Sequence, residues 1–287
     1  MRYFLLGIGT LLAVLFILRL RQGESLGELV DHLNGETYPL APLYVVGFVW
    51  SSGKLFALRD KRAAELRMQA SLLYEEQYAE YYANVTWAQA LTLTHLLLTL
   101  TFMAAGILFG SWGFLLGAGI FLSVLTALYC LESMKSALEK RTAACEAQLP
   151  EVVSSMAILV NSGMVLRAAW SMIANSGTGA LCELMHKADV NMQNGYSDAD
   201  AIFLFGRSSN STEVKKFTSA LLQNMEKGGG ELGGFLAQQS SELWNSKKQK
   251  MLQAGERAAT KLLLPIVMIF IGIILIVMTA AFAGSLF

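Results

Sequence analysis

The sequence predicts an all-α fold: a polytopic membrane protein with about four transmembrane helices and a cytoplasmic helical-bundle domain. Three observations predict it. Apolar residues make up 54 % of the 287 residues and charged residues only 15 %, against about 25 % charged in an ordinary soluble domain. The charges are clustered, so that stretches 3–18, 83–131 and 262–287 carry none. In the remaining sequence apolar positions recur at three- and four-residue steps, the helical period, and no stretch alternates like a strand. The charge deficit excludes a disordered chain and argues against a cytosolic enzyme. Its 22 basic residues balance its 22 acidic ones, which removes the basic footprint expected of a nucleic-acid binder.

Residues 1–20 form the first span. A hydrocarbon core of about 30 Å needs roughly 20 apolar residues in a helix, because lipid leaves no other partner for the backbone groups. The only basic residue before the apolar run is Arg2, and Arg19-Leu20-Arg21 follows it with no small-residue cleavage site, so the segment reads as a retained anchor rather than a signal peptide. Residues 21–90 form a cytoplasmic helical segment. Its first part, 21–53, holds Gly23, Gly27, Gly35, Pro39 and Pro42 and predicts short helices and loops. The apolar run 39–50 is short for a span and reads as interfacial or packed on protein. Residues 54–105 contain neither Gly nor Pro, and 59–77 are rich in good helix formers, which predicts a helix entering the second span without a break.

Residues 91–131 form a transmembrane hairpin, with spans 91–109 and 114–131 divided by Gly110-Ser111-Trp112-Gly113. The third span is expected to run on through 132–148. Residues 132–261 form the cytoplasmic helical domain, with a soluble body of about 110 residues, an ordinary domain size. Residues 262–287 hold the fourth span. Basic residues collect after the first span and between the third and fourth. The positive-inside rule then places both segments in the cytoplasm and both termini outside.

Within the domain, Val153, Met156, Ala157, Val160, Met164 and Ala168 mark one amphipathic helix. Ser197 before Asp198 and Asp200 is a helix start. Asn210 with Glu213 three residues later resembles a capping box. Gly195 and Gly206 read as helix stops. Gly228-Gly229-Gly230 is a break and a candidate hinge; without a Gly-Lys-Ser/Thr ending it does not form a phosphate loop.

No set of polar residues converges on a catalytic centre, and no catalytic, metal or cofactor site is expected. His32, His95 and His186 lie in three different regions. His95 falls inside the second span among Thr92, Thr94, Thr99 and Thr101, where a neutral imidazole bonded between helices accounts for it; a proton relay needs an intramembrane acid, and the uncharged stretch supplies none. Cys130, Cys145 and Cys182 lack metal-ligand spacing and are expected to stay reduced on the cytoplasmic side. Gly106 and Gly110, then Gly113 and Gly117, are each four apart, a spacing that lets membrane helices approach closely. Packing within the hairpin and a dimer contact are both open. Lys247, Lys248 and Lys250 follow from the orientation rule, or meet anionic headgroups or an acidic partner.

The order of these weak motifs carries more information than any one of them. Leu149-Pro150-Glu151 opens a helix whose first half ends at Asn161-Ser162-Gly163-Met164. Ser197-Asp198-Ala199-Asp200-Ala201 leads to Leu204-Phe205-Gly206-Arg207. Glu226-Lys227-Gly228-Gly229 precedes Glu231-Leu232-Gly233-Gly234-Phe235-Leu236, and Glu256-Arg257-Ala258-Ala259-Thr260-Lys261-Leu262 leads into a span containing Pro265. Over about residues 132–285 this resembles the type II secretion system F domain, in particular the platform proteins of tight-adherence (Tad) pili. The resemblance implies a non-enzymatic platform in the cytoplasmic membrane. Its implied partners are a secretion ATPase, pilin-like subunits, the lipid bilayer, and a homologous platform chain or a second copy of itself. Glu151, Arg207 and Glu231 are the candidate partner contacts. Residues 21–90 match none of the family's motifs. Two other classes stand beside this one. A small membrane transporter or membrane enzyme requires ionisable groups near the midplane, where only His95 and hydroxyls occur. An envelope or sporulation assembly scaffold would share the fold without the pilus role.

Overall fold

The computed structural model describes residues 2–35, 38–53, 56, 58, 60–74, 76–107, 112–226 and 231–284. Among them there is no strand. The α-helices are α1 (Arg2–Gln22), α2 (Glu28–Asp31), α3 (Val45–Ser51), α4 (Asp60–Leu73), α5 (Ala79–Ile107), α6 (Trp112–Asn161), α7 (Leu166–Ser176), α8 (Ala180–Gln193), α9 (Asp198–Ser208), α10 (Thr212–Glu226) and α11 (Leu232–Gly284). Among the described residues, four segments are long and apolar enough to cross a membrane: Tyr3–Gln22, Glu76–Ile107, Trp112–Asn161 and Leu232–Thr279. The protein is therefore an all-α polytopic membrane protein. The chain divides into two compact units, Met1–Thr142 and Ala143–Phe287.

In the first unit α1 lies antiparallel along α5. A Cβ on Gly9 would touch Met103, and one on Gly106 would fall 2.5 Å from Leu6 Cγ. The run 39–50 packs on protein. Within α3, Val45, Val46 and Gly47 are buried, and Gly47 N–H donates to Thr92 Oγ1 at 3.0 Å. Any side chain at Gly47 would stand 2.0 Å from the Ala88 carbonyl oxygen, so only glycine lets α3 meet α5 here. The hairpin closes in the same way, since a Cβ on Gly119 would lie 1.7 Å from Thr101 Cγ2.

One expected continuity fails. The helix before the second span ends at Leu73, and a short 3₁₀ turn, Glu76–Tyr78, precedes α5. The break has a cause in tertiary contacts. Tyr74 stacks on Tyr82 with ring centroids 3.5 Å apart and its hydroxyl meets that of Tyr38 at 3.3 Å. Arg141 Nη1 donates to the carbonyls of Leu72 and Leu73 at 2.6 and 3.0 Å, occupying the open acceptors of α4's last turn, where a cation also suits the helix dipole.

The second unit is built round one apolar core, which includes Leu149, Val153, Met156, Trp170, Leu181, Met185, Ile202, Phe205, Phe217, Leu221 and Leu236. Trp170 Nε1–H donates to the Met185 carbonyl at 3.1 Å, and its ring meets Phe205 edge-on at 4.9 Å. The start of α11 runs antiparallel to the end of α6. Asn161 Nδ2 donates to Gly233 O, Trp244 Nε1 to Ser154 Oγ at 2.8 Å, and Lys247 Nζ to Ala147 O at 2.9 Å.

Four local expectations need correction. Pro150 does not open a helix; it sits inside α6, which runs unbroken from Trp112 to Asn161. A proline in a helix costs about 3 kcal/mol, but burial of Leu149, Val153 and Met156 around it supplies about 1.5–3 kcal/mol each, and burial prevails. The helix marked by Val153 to Ala168 is two helices. Gly163, at φ +96°, ends α6 with Met164 N–H bonded to Leu159 O and Gly163 N–H to Val160 O, a Schellman closure. Gly206 is no stop; it lies within α9, buried, with Thr218 Oγ1 2.3 Å from where a Cβ would stand. The cap of α10 is Ser211 rather than Asn210: Ser211 Oγ accepts from Glu213 N and Val214 N and donates to Glu146 Oε1 at 2.8 Å. Two expected features held. Ser197 Oγ accepts from Asp200 N at 3.1 Å, and Gly195, at φ +96°, ends α8 as Gly163 ends α6.

Candidate partner-docking groove

In the second unit a groove of about 620 Å³ runs between α6 and the α7–α8 turn. The helical period of α6 sets one wall, placing Gln148, Glu151, Val152, Ser155, Ile158 and Leu159 along one face. Met172, Ile173, Ser176 and Cys182 line the other wall. Gln148 fixes the geometry. Its Oε1 accepts from Leu181 N at 2.9 Å, capping the start of α8, and its Nε2 donates to Thr178 O at 3.2 Å. Gly179, at φ +105°, permits this approach. Ile158 and Met172 are exposed at the lip. The groove is therefore mixed, with Val152, Ile158, Leu159, Met172 and Ile173 interleaved with Gln148, Ser155 and Ser176, and with one carboxylate, Glu151, on its wall. Burial pushes the Cys182 thiol above its ordinary range, and the carboxylates of Glu151 and Glu183 push it the same way.

The three candidate contact residues lie on separate elements. Glu151 is on α6 in the groove. Arg207 is exposed in the last turn of α9, and Glu231 is exposed immediately before α11. Among the described residues no hydrogen bond or ion pair joins any two of them. Of the glycines singled out for membrane packing, Gly106 meets Leu6 of α1, while a Cβ on Gly113 or Gly117 would meet nothing within 4 Å. Gly110 and the candidate hinge Gly228, Gly229 and Gly230 lie outside the described residues.

Several of the other polar groups are engaged in structure. His95 Nε2 donates to the Leu12 carbonyl at 3.2 Å, and its ring meets Phe16 and Trp50 edge-on. Buried Asp189 accepts from Ser171 Oγ at 3.2 Å and Gln193 Nε2 at 2.9 Å. In the basic cluster, Lys247 is tied to Ala147 O and Lys250 pairs with Glu213. That ion pair holds the Lys250 ammonium above its ordinary range. Among the described residues no group of three His, Cys, Asp or Glu is placed to hold a metal ion.

Sequence reading missed Gln148 and Cys182 as groove residues. The polar steps Gln148, Glu151, Ser155 on a helix face were visible, but their partner across the groove comes from a turn some thirty residues later. No curated protein and no solved structure matches the chain. Residues 152–280, which take in most of the second unit's core and the apolar part of α11, match the family described as type II secretion system (T2SS), protein F, and over that stretch the chain is similar to this family of secretion- and pilus-system platform proteins.

Proposed function

We propose that the protein is a cytoplasmic-membrane platform of the tight-adherence pilus or type II secretion kind, which couples a secretion ATPase to the assembly of pilin-like subunits and catalyses no reaction of its own. The observation that carries this reading is the family match over 152–280, which coincides with a helical bundle continuous with an apolar helix. In this reading the second unit's bundle faces the cytoplasm, and the N- and C-termini lie outside. The chain works with a homologous platform chain or a second copy. The groove on α6 and the exposed residues Glu151, Arg207 and Glu231 form the face offered to the ATPase.

Affinity purification of the tagged full-length chain from its native membrane, in a gentle detergent, tests the reading directly. A secretion ATPase, a related platform chain or pilin-like subunits are expected to copurify. Recovery of this chain alone in a stable complex would favour a self-contained transporter or enzyme. Reversing the charges of Glu151, Arg207 and Glu231 together is expected to weaken ATPase recovery about tenfold or more, as loss of interface charges does; undiminished recovery removes these residues from the contact. A single cysteine at Tyr3 that resists a membrane-impermeant thiol reagent applied from outside would overturn the orientation.

A further inference from the structure

Two depressions in the first unit share a wall. The first, of about 450 Å³, is almost wholly apolar and is lined by α1, α5 and α6; Leu98 and Val124 lie towards one end and Leu131 and Arg62 at the other. It extends about 16 Å along α5, from Trp87 to Leu98, at 1.5 Å per residue. The second, of about 250 Å³, adjoins it at Arg62 and Leu131, and is lined by Glu65 and Gln69 of α4 and by Glu132 and Lys135 of α6. On α6 the change from one to the other falls between Leu131 and Glu132, where the uncharged stretch ends.

The polar depression contains an unmet requirement. Gln69 is only 7 % exposed. Its Nε2 donates to Glu65 Oε1 at 3.3 Å, which identifies Oε1 as the free acceptor, and that atom is buried with no partner. A buried acceptor left without a donor is destabilising, so a ligand that supplies one is favoured. Among the described residues Arg62 and Lys135, which line the same depression, make no hydrogen bond or ion pair. Two cations and two carboxylates thus surround an acceptor that lacks a donor, beside an apolar cleft that runs along the spans.

We propose that this pair of depressions is a binding site for an aminophospholipid of the leaflet nearest the charged segments. One acyl chain lies in the apolar cleft. The phosphate meets Arg62. The primary ammonium, with three donors, lies between Glu65 and Glu132 and supplies the hydrogen bond that Gln69 Oε1 lacks. The mouth carries balanced charge and so matches a zwitterion better than a purely anionic headgroup. The donor requirement also separates a primary ammonium from a trimethylated one, which has no N–H. The proposal depends on the membrane spans and not on the platform reading.

Native mass spectrometry of the full-length chain tests it, after delipidation and titration with phosphatidylethanolamine, phosphatidylcholine or phosphatidylglycerol of identical acyl chains. The expected result is one phosphatidylethanolamine retained about tenfold more strongly than phosphatidylcholine, the scale of a charge-assisted hydrogen bond, and more strongly than phosphatidylglycerol. Gln69→Leu is expected to abolish the preference over phosphatidylcholine while lipid is still retained. Arg62→Gln, an exposed position, is expected to weaken retention of all three lipids. Ala127→Phe, which fills the cleft, is expected to remove the bound lipid from a chain whose helical circular dichroism is unchanged. Equal retention of phosphatidylethanolamine and phosphatidylcholine by the unaltered chain, a preference for phosphatidylglycerol, or an undiminished preference in Gln69→Leu would each overturn the proposal.

Discussion

Ser211 is buried completely and does two jobs, capping α10 and donating to Glu146. Ser211→Ala removes both and leaves buried amide donors open, so a loss of about 1–2 kcal/mol is expected, read from the thermal midpoint of the helical signal. Cys182 yields a chemical prediction. Thiolate is the reactive form of cysteine, and burial with two nearby carboxylates raises this thiol. Alkylation of Cys182 should therefore be slower than that of free cysteine at neutral pH and should accelerate only above the ordinary thiol range; Glu151→Gln should bring that rise to lower pH. The same shift makes the neutral thiol stabilising below its unfolded value, with that contribution lost as pH rises through the folded one. Ser197 was legible as a cap because capping acts within four residues. Ser211 was mistaken for its neighbour Asn210 because Glu146, which holds it, is sixty-five residues away. Glu151 was legible as exposed, yet nothing local could show that it faces Cys182.

At the scale of elements, α6 and α11 join through Ser154, Ser240 and Trp244. Trp244→Phe and Ser154→Ala should each cost about 1 kcal/mol. Because the two groups touch, the double variant should lose less than the sum, with a coupling of about 0.5–1 kcal/mol in a denaturation cycle. Pro150→Ala supplies the N–H that α6 lacks and should raise stability by about 1–3 kcal/mol; a fall in thermal midpoint would mean the ring itself packs favourably. Of the helix ends set by glycine or a side-chain cap, those at Ser197 and Gly195 were readable, while those at Gly163 and Ser211 were not. Ends set by tertiary contact were not readable either. The break at Tyr74 depends on Tyr38, Tyr82 and Arg141, and the passage of α6 through Pro150 depends on the core it buries. Gly47 and Gly119 show the same limit: each is one glycine in an apolar run until a backbone or side chain from another helix lies against it.

For the molecule as a whole, absence of charge was the most legible signal, because moving a charge into hydrocarbon is costly at every position along a span. It located all four apolar helices. It did not place α4, α5 and α3 against one another, since that packing depends on small residues rather than on polarity. Among the described residues the second unit's core draws on residues between 145 and 243. A fragment comprising residues 143–261 should therefore be soluble, helical and cooperative in urea, with a single transition; a broad, non-cooperative loss of ellipticity would show that this core needs the rest of the chain.

The long α11 also sets an order of events during synthesis. Leu236, the last fully buried residue of the core, precedes the apolar part of the helix at 262 by 26 residues. At 5–20 residues per second that interval is about 1–5 s, whereas a helical bundle of local contacts folds in microseconds to milliseconds. Folding of the bundle is therefore fast beside synthesis of the segment that follows it. Because α11 is one helix from Leu232 to Gly284, the entry of that segment into the membrane and the placement of the bundle fix one another.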